Sequence, residues 1–147
     1  MLLPTDNASD IAHAIQLALA PVFLLTGIAA LLGVMTNRLA RVIDRGRYFE
    51  QSWDSLDEEG RAAGRAELKF LERRRKLVSR AIAAGTLAAL MVCMVVATLF
   101  LEALLEVQLR GAAGLFFFLS MVSLIVALGT FLQEIYLATQ SVRVPRF

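Results

Sequence analysis

AIAAGTLAALMVCMVVATLFL, Ala81 to Leu101, runs for 21 residues without Asp, Glu, Lys or Arg. An ionised side chain at the bilayer centre costs about 2.5 kcal/mol or more on insertion scales, and about 20 helical residues cross the hydrocarbon core. The stretch therefore reads as a membrane-spanning helix. Working outward, two further charge-free runs flank it: Ile11 to Asn37, 27 residues, and Gly111 to Gln133, 23 residues. Each is long enough to cross. Three such runs predict an all-α integral membrane protein with three transmembrane helices. The whole chain agrees: of 147 residues 58% are hydrophobic and 19% charged, with mean hydropathy +0.65. Those values argue against a disordered or ordinary water-soluble domain.

Ala18-Leu19-Ala20 imitates a signal-peptide cleavage site. No Lys or Arg precedes Arg38, however, and Pro21 would follow the cut, so the first run is expected to stay attached as a span. Pro21 lacks a backbone donor, which predicts a kink or the end of an interfacial piece there.

Basic residues set the orientation. Between Asn37 and Arg80 lie twelve Lys or Arg against eight Asp or Glu, whereas the first 36 residues carry only Asp6 and Asp10. Positive charge near membrane ends stays on the cytoplasmic side, so the 37–80 segment is expected in the cytoplasm of a bacterial inner membrane, with the N-terminus outside and the C-terminus inside. The chain divides accordingly into an outer N-terminus with the first span (1–36), a basic cytoplasmic segment (37–80), and the second and third spans with an inner tail (81–147). The belt of Arg38, Arg41, Arg45, Arg73, Arg74, Arg75, Lys76 and Arg80 accounts for much of the net charge of +2 and the pI of 9.1. It points to anionic lipid headgroups on the cytoplasmic side; nothing resembles a nucleic-acid module.

The basic segment keeps helical time. Leu39, Val42, Gly46, Phe49 and Trp53 are spaced 3, 4, 3 and 4, along one side of a helix continuing out of the first span. A reversal is expected near Ser52 to Asp57, where Ser55-Leu56-Asp57-Glu58 fits a capping box. The return helix, from about Leu56 to Arg80, carries two stripes: Ala63, Ala66, Phe70 and Leu77, then Gly64, Leu68, Leu71, Val78 and Ile82. A cytoplasmic antiparallel helical hairpin extending helices 1 and 2 follows. With the first stripe packed on the outgoing helix, the second would face another subunit. In the spans, Ala81, Gly85 and Ala89 form a smooth strip for helix contact, as do Gly27, Ala30 and Gly33. Leu68, Leu71, Val78, Ala81, Gly85 and Ala89 are thus the candidates for a homo-oligomer interface.

Three stretches together carry a resemblance: Asn37-Arg38-Leu39-Ala40-Arg41-Val42-Ile43-Asp44-Arg45 after the first span, Arg73-Arg74-Arg75-Lys76 before the second, and Phe131-Leu132-Gln133-Glu134-Ile135 ending the third. Over nearly its whole length the chain resembles DUF2721, a bacterial family whose members look like small multi-pass membrane proteins. The resemblance implies topology and a bacterial source, and it transfers no functional residue.

The most pointed pattern lies in the third span. Ser120, Ser123, Ala127, Thr130 and Glu134 recur at 3, 4, 3 and 4 residues, so the polar ones share a face. In one reading the face lines a cation-leaning pore in a ring of subunits, with inorganic ions as ligands and a Glu134 ring near the inner mouth. In the other, the hydroxyls bond to backbone or to neighbouring helices, while Glu134 pairs with Arg38, Arg41 or Arg80. Asp10, His13, Glu102 and Glu106 would form an outer vestibule for the pore. A homo-oligomeric pore is the most concrete activity expected; the alternative is a non-conducting scaffold or regulatory protein whose basic segment binds anionic lipid or a protein partner, which needs no wet axis. Cys93 is the single cysteine, expected in packing. With one histidine and no CxxC, HExxH, GxSxG or phosphate-cradling loop, neither enzyme activity nor a metal or other cofactor is expected.

Overall fold

A computed structural model describes residues 5–105 and 108–140. Three helices dominate: α1 over Thr5–Ser52, α2 over Glu58–Leu105 and α3 over Arg110–Gln140, with a 3-10 turn at Trp53–Ser55 between the first two. No strand occurs among the described residues. Each helix contains a stretch long and apolar enough to cross a membrane, and only 17–22% of those stretches is buried within the chain. Much of the remainder is exposed apolar surface: Phe23, Leu104 and Ile125 are each about 70% exposed. A water-soluble monomer does not tolerate apolar exposure on this scale.

α1 is continuous through Pro21, so no separate interfacial piece ends there. Proline is tolerated inside such helices when neighbours cover the interrupted ladder, and Pro21 is buried.

The chain forms two compact units. The first comprises α1 up to Leu31 and the chain from Ala84 to Ile125. Its core is made largely of small and branched side chains, Ala18, Ile28, Ala88, Val92, Val95 and Ala113. The expected small strip on α2 works here: Gly85 is buried, and Ser123 Oγ on α3 donates to the Ala84 carbonyl at 2.7 Å. Such close approach supplies contact where lipid removes the hydrophobic drive.

The second unit comprises Leu32–Ala83 and α3 from Val126. Met35, Val78 and Ala81 form its core, with Leu39, Ile82 and Phe131 packed against them. Along the outgoing part of α1, Val42 is buried and Leu39, Gly46, Phe49 and Trp53 are half-buried, the periodic face expected. The chain reverses after Ser52, and α2 returns beside α1: a Cβ on Gly64 would lie 3.1 Å from the Trp53 ring, and Arg45 Nε meets Glu67 Oε1 at 3.1 Å.

Two local expectations need correction. The helix cap is Asp57, not Ser55: Asp57 Oδ1 accepts from the Gly60 amide at 2.8 Å, and α2 begins at Glu58. Ser55 lies in the 3-10 turn and donates back to the Ser52 carbonyl. The stripes of the return helix are also assigned differently: of the second, Gly64, Leu71 and Val78 are buried within the chain and Leu68 and Ile82 half-buried, while of the first Ala63 and Ala66 are exposed and Phe70 and Leu77 half-buried. Gly64 lets α2 come close to the Trp53 ring, and the side of α2 that makes this approach carries Leu71 and Val78 into the seam. Leu71, Val78, Ala81 and Gly85 are therefore covered inside one chain; Leu68 and Ala89 are half-buried.

Candidate functional site

The concentrated chemistry lies in the second unit, where each helix places a charge on its own inward stripe. On α1 Arg38 lies between the buried Met35 and Val42; on α2 Arg74 lies between the buried Leu71 and Val78. On α3 Glu134 follows the buried Ala127 and half-buried Phe131 at helical spacing. The three charges meet. Arg38 Nη1 donates to Glu134 Oε2 at 2.7 Å, while Arg74 Nη2 and Nε donate to Oε1 at 2.7 and 3.0 Å. The carboxylate has no solvent exposure, and the two arginine side chains keep 38% and 20%. Removing a carboxylate from water is costly, and the cost is met only when its lone pairs are filled by donors of opposite charge. Both oxygens here have such donors. Aromatic faces support the guanidinium groups, with Arg38 5.6 Å from the Phe131 ring centre and Arg74 6.0 Å from that of Phe70.

Pairing of Glu134 with Arg38 agrees with one of the two readings of the third span. Arg74 replaces Arg41 and Arg80 as the second partner. The signal for it was present: Leu71, Arg74, Val78 and Ala81 repeat at 3, 4 and 3, which sets Arg74 on the buried stripe, whereas Arg41 and Arg80 are exposed. The other hydroxyls of the polar face differ in burial, with Ser120 buried and Ser123 and Thr130 half-buried. Ser120 is fully buried with no hydrogen-bond partner for its hydroxyl, Ser123 is held by Ala84, and Thr130 donates to the Val126 and Ala127 carbonyls of its own helix. None of these groups is arranged as an exposed lining.

Beside the clamp a cavity of about 650 Å³ opens between α1 and α2. Arg38, Arg41, Arg45 and Arg74 reach it over a floor that includes Val42 and Leu71, with Tyr48 and Phe49 at one end. A second, smaller groove of about 450 Å³ has Arg75, Lys76 and Arg80 on its wall. Lys76 is engaged by Glu72 at 2.9 Å, and that hydrogen bond holds the exposed Glu72 carboxyl below its ordinary range. Arg73 is exposed on the same helix.

Two of the four outer candidates fall among the described residues. His13 is exposed, and Glu102 is bound by Arg110 at 3.0 Å. The Asp10 side chain and the whole of Glu106 lie outside the described residues. No group of three metal-ligating side chains occurs among the described residues.

The family model described as a protein of unknown function, DUF2721, matches residues 18–144. The chain belongs to DUF2721. The match takes in Arg38, Arg74 and Glu134 together, so the clamp and its arginine groove fall wholly within the DUF2721 region. No match to this DUF2721 chain was found among curated proteins or solved structures.

Proposed function

We propose that this DUF2721 protein is a non-conducting, non-enzymatic component of the bacterial cytoplasmic membrane whose basic hairpin engages anionic groups on the cytoplasmic side. The N-terminus is then outside and the C-terminal tail inside, as the distribution of Lys and Arg requires. One observation carries the reading: Glu134 is fully buried between Arg38 and Arg74. A conducting axis needs its carboxylate and hydroxyl groups in contact with water and ions, and this one is saturated by two guanidinium groups. The same clamp joins α1, α2 and α3 at the point where the charge-free part of α1 gives way to its arginines, which suits a structural role at the headgroup level. The pore reading would require a ring of subunits. The stripe first assigned to that contact is largely covered inside one chain, so it supplies no support for the ring.

Ion flux from liposomes holding the purified protein tests the reading. Flux equal to that of empty liposomes is expected, for wild type and for Glu134→Gln alike. A leak in wild-type vesicles that changes rate or selectivity in Glu134→Gln would restore the pore and remove the structural role.

A further inference from the structure

The arginines beside the clamp are not all consumed by it. Four guanidinium groups, from Arg38, Arg41, Arg45 and Arg74, reach one cavity of about 650 Å³. Two carboxylates answer them: Glu134 takes Arg38 and Arg74, and Glu67 takes Arg45 at 3.1 Å. Arg41 has no ion pair among the described residues. Two positive charges are thus left unmatched on an open wall. Their spacing is ordered, because Arg38, Arg41 and Arg45 follow at 3 and 4 residues and share one face of α1. Arg38 and Arg45 are separated by about 10 Å along the helix axis at 1.5 Å per residue. Behind them the floor is apolar, with Val42 and Leu71 buried. Tyr48, 67% exposed, adds a hydroxyl at the far end.

We propose that this groove is a discrete site for one phosphate-bearing molecule, whose phosphate group is held by Arg41 and Arg45 with Arg38 and Arg74 behind them. Planar guanidinium groups bind phosphate oxygens through paired N–H donors, and a charge near −2 would neutralise the surplus. Carboxylate ligands fit less well, since each brings one charge. The second groove is a weaker competitor because Lys76 is already engaged by Glu72. A phospholipid headgroup and a free phosphate compound share the required chemistry. The inference deepens the anionic-ligand part of the proposed function and rests on it, but ion flux does not enter its test.

Full-length protein in zwitterionic nanodiscs would be titrated with phosphatidic acid, whose phosphomonoester headgroup carries a charge near −2, in one arm and with inorganic pyrophosphate, at matched ionic strength, in the other. The thermal midpoint is followed throughout, and lipid retention is read by native mass spectrometry. Wild type should show saturable stabilisation in at least one arm. Arg41→Gln/Arg45→Gln should raise the half-saturating concentration at least about tenfold, as loss of charged hydrogen bonds implies. Arg73→Gln/Arg80→Gln, with the same loss of charge, should leave it unchanged. A response to lipid alone identifies the headgroup as the source, a response to pyrophosphate alone identifies a free phosphate compound, and both establish the phosphate group as sufficient. No saturable response in either arm, or equal weakening in both double variants, overturns the site. Should the first double variant unfold, Arg41→Gln alone carries the comparison, because that side chain is exposed and outside every ion pair described. Conducting vesicles with intact phosphate binding would sink the non-conducting reading and leave this one standing.

Discussion

Two serines one helical turn apart on α3 have opposite situations and should respond oppositely to the same change. Ser123 donates across to the Ala84 carbonyl, whereas the Ser120 hydroxyl is buried with no partner. Ser123→Ala should lower the thermal midpoint in detergent, by a loss of about 0.6 kcal/mol, the average for interhelical hydrogen bonds in membranes. Ser120→Ala should be neutral or stabilising, because an unpartnered buried hydroxyl costs free energy that a methyl group does not. If both alanines destabilise equally, the assignment of hydroxyl partners is wrong. The Glu134 clamp makes a larger demand. Arg74→Met leaves a carboxylate with no exposure dependent on Arg38 alone, and breaking a buried pair costs about 3–5 kcal/mol, of which the remaining arginine should recover part. Combining Arg74→Met with Glu134→Met should restore much of that loss. Simple addition of the two single effects would show that the residues do not act as a unit. Glu134 was legible from sequence as a carboxylate needing a cation, since its cost near lipid follows from charge alone. Its partners were only partly legible, because several arginines lie within reach on a one-dimensional reading and only burial separates Arg74 from Arg80.

At the scale of elements, the turn between α1 and α2 offers a direct contest between two capping registers. Ser55 with Glu58 satisfies the pattern of a capping box, but Asp57 provides the oxygen that receives the Gly60 amide. Asp57→Ala should therefore cost about 1 kcal/mol, the usual loss for an N-cap, while Ser55→Ala should cost less, since its hydroxyl caps no helix amide. A larger loss at Ser55 would mean that α2 starts two residues earlier than Glu58. The pattern misleads here because both Ser55 and Asp57 are good capping residues, and the choice depends on how Leu56 and Trp53 meet Gly64 after the reversal. The stripes of α2 teach the same point. Periodicity revealed two apolar faces, yet it carries no information about which neighbour covers each. The three-dimensional packing buries Gly64, Leu71 and Val78 and leaves Phe70 and Leu77 half-buried and Ala63 and Ala66 exposed, a choice that side-chain size alone does not make, since Phe70 is the bulkiest of them.

For the whole molecule, the decisive feature is the contrast between three apolar stretches and the basic segment that separates the first two. The spans were legible because a charge-free run of more than 20 residues is a strong constraint, and each such run lies inside a helix long enough to cross. Orientation depends on a different quantity, the cost of moving arginines across a membrane, and has its own test. In a Cys93→Ser background, single cysteines at Gln51 and Gln108 would occupy exposed positions after α1's basic face and before α3. A membrane-impermeant maleimide added to intact cells should label Gln108→Cys at once and Gln51→Cys only after permeabilisation. The reverse pattern would place twelve Lys and Arg residues of the 37–80 segment outside the cell and refute the orientation on which an inner-leaflet ligand depends. Labelling of both positions from outside would be the sharper contradiction. Gln51 and Gln108 are joined by α2, so an even number of crossings between them would mean that the Ala81 to Leu101 stretch does not span.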